Sequence, residues 1–173
     1  MGVANTSKGT YSDIIFSENS NKLLDEILKD YNLEKDFKDA YHCTLIYSKK
    51  HILNYKTSKG TLQDKNGKAS EKISKLVKIK SFGHFDTEDG KNLHIELECS
   101  WCQTQFDRAM KSGGTFDYDK YTPHVTLMYN CGKDFDISRR DTTKWIGRKL
   151  EIIEERISEL NKNWVEDSTK EDK

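Results

Sequence analysis

The chain has 173 residues, with 29 Lys and Arg against 29 Asp and Glu, and a single proline. This length supports one domain with an apolar interior large enough to need no covalent staples. A formal net charge of zero excludes a protein that wraps long nucleic acid by neutralising many phosphates at once, but admits a ligand carrying only a few.

No window of 18 apolar residues occurs and the N-terminus lacks the apolar core of a leader peptide, so a soluble, cytoplasmic protein without a membrane partner is expected. The start MGVANT fits the short pattern for myristoylation at Gly2, a pattern too common to carry weight by itself. Cys99 and Cys102 stand as Cys-x-x-Cys in ECSWCQ. A structural zinc site needs two more ligands at matched spacing, none of which is evident, so the thiols read as reduced and structural.

TYSDIIF, 10–16, alternates like a strand, and Ser17 then stands as an N-cap before Leu23, Leu24, Ile27 and Leu28, the spacing of an amphipathic helix. YHCTLIYS, 41–48, reads as a strand with a histidine inside it, and 54–71 as a polar surface loop or hairpin. KLVKIKSFGHFD and KNLHIELEC read as paired strands joined through TEDG, where Asp89-Gly90 predicts a hairpin. SWCQTQFDRAMKSGG predicts a helix capped by Ser100, with Trp101, Phe106 and Met110 inward and Gly113-Gly114 at its end.

YTPHVTLMYN, 121–130, is another strand; a short helix over 142–147, the strand KLEIIEERISEL and a charged tail come after it. The order describes an α+β chain: a loose segment 1–8, one domain over 9–165 and a tail over 166–173. Its two halves each place a helix before a strand with the same signature.

That signature carries the chemistry. PHVTLMYN repeats YHCTLIYS as His, apolar, Thr, Leu, apolar, Tyr and a small polar residue, 82 residues further on. One His-x-Thr is commonplace; two in matching contexts are not. Alternation puts His42, Thr44, Ile46 and Ser48 on one face and Cys43, Leu45 and Tyr47 on the other. In the second copy His124, Thr126, Met128 and Asn130 share a face, with Val125, Leu127 and Tyr129 opposite.

Two imidazoles, each with a reference pKa of about 6.5, can divide the work of base and acid near neutrality. A threonine hydroxyl two residues on, on the same face, suits a non-bridging phosphate oxygen as charge builds at phosphorus. The plainer reading makes both pairs sheet residues satisfied by cross-strand bonds. A zinc site on His42 and His124 lacks a third ligand at helical spacing. His51, His84 and His94 read as ordinary surface or sheet residues.

The duplicated His-x-Thr resembles the 2H phosphoesterase superfamily. That resemblance implies a bilobed α+β fold, with two antiparallel sheets forming a central cleft and helices outside. GTYSDIIF, YHCTLIYS and GTFDYDKYTPHVTLMYN look most like the anti-CBASS phosphoesterases of tailed phages. The resemblance implies cleavage of 3′-5′ bonds in cyclic oligonucleotide second messengers, with no cofactor and no metal. His42 and His124 would be acid and base in an order left open, and Thr44 and Thr126 would hold the phosphate.

Tyr11 matches an aromatic that stacks on a base in that family, and reads equally as a sheet-packing tyrosine. Phe85 lies where a second stacking ring is expected. Trp164, in the polar run NKNWVED, would reach a ligand or a neighbouring subunit of a homo-oligomer, or form a simple lid over the core. Two other functions fit the same motifs: a 2H enzyme opening 2′,3′-cyclic phosphates or 2′-5′ links of RNA, and a nucleotide sponge without turnover.

Overall fold

The computed structural model describes residues 8–87 and 90–160, so the tail, Trp164 and residues 1–7 lie outside the described part. Among the described residues, eight strands and two α-helices run in the order β1 (Gly9–Phe16), α1 (Glu18–Asp30), β2 (His42–Ser48), β3 (Ala69–Gly83), β4 (Asp86–Thr87), β5 (Gly90–Lys91), β6 (Leu93–Glu98), α2 (Ser100–Lys111), β7 (His124–Met128) and β8 (Lys149–Leu160), with a 3-10 turn at Ile137–Arg139 between β7 and β8. No helix among the described residues is long and apolar enough to cross a membrane.

The helices form because of their apolar spacing and caps. Ser17 accepts from the Ser20 amide at 3.2 Å, closing the first turn of α1, whose Leu23, Leu24, Ile27 and Leu28 are all buried. The cap of α2 is Cys99 rather than Ser100: its Sγ accepts from the Cys102 amide at 3.1 Å, moving the start of the helix one residue back. The buried stripe of α2 is Cys102, Gln105, Phe106 and Ala109, while Trp101 and Met110 sit half-buried at its margins. All four cysteines are free thiols, and Cys43, Cys99 and Cys102 are buried.

Six long strands form one antiparallel sheet in the ring order β1-β2-β7-β6-β3-β8. The two expected sheets are joined in it, since the chain's halves meet at a seam between β2 and β7 one residue pair wide, Cys43 opposite Val125. Long ladders of β8 with β1 and with β3 complete the ring. Because Cys43 and Val125 occupy equivalent places in the repeated motif, a pseudo-twofold axis passes between them. α2 lies against β2 and α1 against β7, covering one surface of the seam.

Three local readings change. The segment 142–147 is a single turn: Ile146 donates to the Thr142 carbonyl at 3.1 Å, and Gly147, at φ +88°, turns out and donates to the Ile79 carbonyl at 2.8 Å. Docking onto β3 stops it from propagating as a helix. β3 begins at Ala69, inside the expected loop, and the remaining loop is stitched down by carboxylates. Ser58 donates to the wholly buried Glu155 from its hydroxyl at 2.6 Å, and Thr57 donates to Glu71 at 2.9 Å. The turn about Asp89 lies outside the described residues, but β4 and β5 pair antiparallel on either side of it.

Candidate active site

The seam register brings the motifs together. With Cys43 opposite Val125 in antiparallel strands, position 42 lies across from 126 and position 44 across from 124, so each histidine stands beside the other motif's threonine. All four side chains are half-buried, whereas Cys43, Leu45, Val125 and Leu127 are buried on the helix-covered surface.

Both histidines are oriented in the same way. His42 Nδ1 lies 3.2 Å from the Ala40 carbonyl and His124 Nδ1 lies 3.0 Å from the Thr122 carbonyl, in each case two residues back along the chain. A carbonyl only accepts, so Nδ1 carries the proton and Nε2 is the basic atom of each neutral ring. Two imidazoles in one tautomer, set diagonally across a seam, can exchange protons with a single bound group.

The expected alternation fails after the threonines, identically in both copies. The β1–β2 register runs from Ser12 opposite Ile46 to Asp13 opposite Thr44, leaving Leu45 without a partner. The β6–β7 register runs from Leu93 opposite Met128 to His94 opposite Thr126, leaving Leu127 without one. Each extra residue is a bulge, which resets the alternation and re-aims the side chains beyond it. Ile46 and Ser48 are therefore buried on the other side, and Tyr47 joins the motif face, its ring edge-on to Tyr11 at 6.3 Å between centroids. Met128 likewise packs against the core, and Tyr129 emerges 44% exposed, against Phe37 at 5.2 Å.

Tyr11 lies on the face of Thr44. Its hydroxyl donates to Asp13 at 3.1 Å and lies 3.1 Å from Thr44 Oγ1. Burial, then the nearby Asp13 carboxylate, push its phenol well above the usual value. Asp13 in turn accepts two bonds of 2.8 Å from Arg156 of β8. Neither Asp13 nor Arg156 stands out by motif; the available signal is a lone carboxylate inside the strand TYSDIIF, which demands a partner when buried.

Phe85 lies at the other histidine. It is 46% exposed, stacks on His94 with centroids 4.1 Å apart, and meets His124 edge-on at 5.3 Å. His94, read from sequence as an ordinary residue, is buried on the motif face 5.5 Å from His124, and burial pushes its pKa down to about 4. It is therefore neutral at physiological pH. Gly83 makes room for it, since a Cβ there would lie 3.0 Å from His94 Nε2. His84 is structural: its Nδ1 lies 2.7 Å from the Asn92 carbonyl and its Nε2 accepts from the Ile137 amide at 2.9 Å. His51 is exposed.

Among the described residues, no three His, Cys, Asp or Glu side chains gather at metal-binding separation. An open groove elsewhere, lined by Lys78, Lys80, Glu98, Ser100 and Pro123, includes none of the four motif residues.

Comparison with known proteins converges on one family. The family model for anti-CBASS protein Acb1 matches residues 8–167. The chain is 30% identical to anti-CBASS protein Acb1 of Enterobacteria phage T4 over 132 residues, covering 73% of this chain and 75% of that protein. It is 27% identical to the Acb1 of Vibrio phage KVP40 over 161 residues, 92% of each chain. With the Acb1 of Escherichia phage RB16 it shares 28% identity over 163 residues, 93% of this chain and 86% of that one.

Proposed function

Because the chain belongs to the Acb1 family of anti-CBASS proteins, we propose that it is a phosphodiesterase that cleaves 3′-5′ bonds of cyclic di- and trinucleotide second messengers and so blunts CBASS immunity in the host cytoplasm. The observation that carries this reading is the seam register, which sets each motif histidine beside the other motif's threonine with both rings in the same tautomer.

In the proposed reaction one histidine takes the proton of the ribose 2′-hydroxyl through Nε2. The 2′ oxygen then bonds to phosphorus, the bond from phosphorus to the 5′ oxygen breaks, and the second histidine, entering as imidazolium, protonates the departing 5′ oxygen. The product is a linear nucleotide with a 2′,3′-cyclic phosphate, and the two histidines have exchanged protonation states. Thr44 and Thr126 donate to the non-bridging oxygens as they gain charge. Two imidazoles supply base and acid, so the scheme is written without a metal.

The cleft reading treats β1, β2 and β8 as one lobe and β7, β6 and β3 as the other, with the bound phosphate over the seam. One nucleobase stacks against Tyr11 and another on the exposed face of Phe85, each contact worth about 1 to 3 kcal/mol. Trp164, outside the described residues, is a further candidate for the ligand, from its own chain or from a neighbouring copy, the alternative being a lid over the core.

Incubation with EDTA and a panel of cyclic di- and trinucleotides, 2′,3′-cyclic nucleotides and 2′-5′ oligoadenylate, then chromatography of the products, tests this. Linearised cyclic oligonucleotides are expected. Cleavage confined to the last two substrate types assigns the protein to RNA ends instead, and tight retention without product makes it a sponge.

A further inference from the structure

Four side chains from three strands form one continuous run of contacts on the motif face. Arg156 donates from Nε to Asp13 Oδ1 and from Nη2 to Asp13 Oδ2, both at 2.8 Å. Tyr11 donates to Asp13 Oδ2 at 3.1 Å, and its oxygen lies 3.1 Å from Thr44 Oγ1. The Asp13 side chain is only 5% exposed, while that of Arg156 is 43% exposed.

The proton count gives this run a direction. A carboxylate held in the fork of an arginine only accepts, and a phenol has one proton to give. Asp13 claims that proton, so the Tyr11 oxygen is an acceptor and the Thr44 hydroxyl is the group that donates to it. Thr44 is thereby held in one rotamer in the free site; when a phosphate oxygen takes the Thr44 proton, the Tyr11 proton turns from Asp13 to Thr44 Oγ1, so the contact between the two oxygens persists. Ladder pairing explains why these residues meet: Asp13 lies opposite Thr44 on one side and opposite Arg156 on the other.

We infer that Arg156 and Asp13 are positioning residues that act through the hydroxyl of Tyr11 to pre-set Thr44 for the reacting phosphate. The inference rests on the phosphodiesterase reading above and gives Tyr11 a second role, separate from offering its ring to a base. Position 94 is the pseudo-twofold counterpart of position 13, and there the residue opposite the threonine is a histidine. The device therefore belongs to one half of the site.

Tyr11→Phe is the decisive variant, because it deletes the hydroxyl while keeping the ring and the Arg156–Asp13 pair. It is expected to lower kcat by about ten- to a hundredfold, the scale of a misplaced reacting group, with KM unchanged. Asp13→Asn should give a similar loss, the double variant should be no worse than either single one, and neither change should lower kcat further in a Thr44→Val background. Arg156→Lys, which keeps the charge but loses the fork, should recover part of the loss seen in Arg156→Met.

Asp13→Asn is the variant at risk of misfolding, so thermal unfolding is measured in parallel and Tyr11→Phe carries the result if it fails. Wild-type kcat in Tyr11→Phe, a loss confined to KM, or losses that multiply with Thr44→Val would each overturn the inference. Every variant is assayed on both a cyclic dinucleotide and a 2′,3′-cyclic nucleotide. Activity on the second alone removes the second-messenger reading and still scores the positioning pair, whereas a wild type inert towards both removes the two together.

Discussion

The halves of the molecule are alike in the histidine and threonine they place at the seam and unlike in what stands behind them. Each supplies a histidine pinned through Nδ1 to the carbonyl two residues back, a threonine on the same face, and a leucine bulge that re-aims the residues beyond it. Behind Thr44 lies a charged, hydrogen-bonded chain through Tyr11 and Asp13 to Arg156. Opposite Thr126 lies His94, neutral and buried under Phe85. On the proposed function, a duplicated unit keeps the atoms assigned to phosphorus while its two supports diverge, because direct contacts are constrained by one small group and their supports only by packing.

The largest effect expected is on turnover. His42→Ala and His124→Ala should each lower kcat by at least about a hundredfold, and up to about ten-thousandfold, with ligand affinity largely retained in a titration against uncleaved substrate. A near-normal rate in either variant breaks the equivalence of the halves at its most basic point. Next, Thr44→Val and Thr126→Val should each cost about a hundredfold in kcat. Single-turnover rates sharpen the comparison, since only the loss at Thr44 is expected to make Tyr11→Phe silent.

The supports differ in their response to acid. His94 has its pKa depressed to about 4 by burial, so the unfolded chain binds a proton at this position over a pH range in which the folded chain does not. Its contribution to stability is complete above about pH 6.5, the unfolded value, and is lost as pH falls towards 4, with a slope of at most about 1.4 kcal/mol per pH unit. Denaturant unfolding between pH 7 and 4 should be flatter in His94→Gln than in the wild type; identical slopes would deny His94 its buried neutral role. Smallest is the ring itself: Phe85→Ala should weaken binding by about 1 to 3 kcal/mol while leaving kcat of the saturated enzyme nearly unchanged, read as KM against kcat.

Much of the site is legible in the sequence because its signal is local. The repeated His-x-Thr needs only a pair of short runs, and the spacing of Leu23, Leu24, Ile27 and Leu28 suffices for α1. Strict alternation misplaces the faces of Ile46, Tyr47, Met128 and Tyr129 because it assumes an unbroken ladder, and a bulge is a property of two strands rather than one. Ser100 is mistaken for a cap because the thiol of Cys99 does that work with no distinctive pattern around it.

Composition and pattern by themselves determined the α+β order, the buried stripes and the two histidine–threonine pairs, since each depends on periodicity within about ten residues of chain. Only the tertiary structure decided that Cys43 meets Val125, that His94 lies against His124, and that Arg156 closes on Asp13. Those contacts join residues far apart in the chain, and their register is chosen by the closing of the whole sheet.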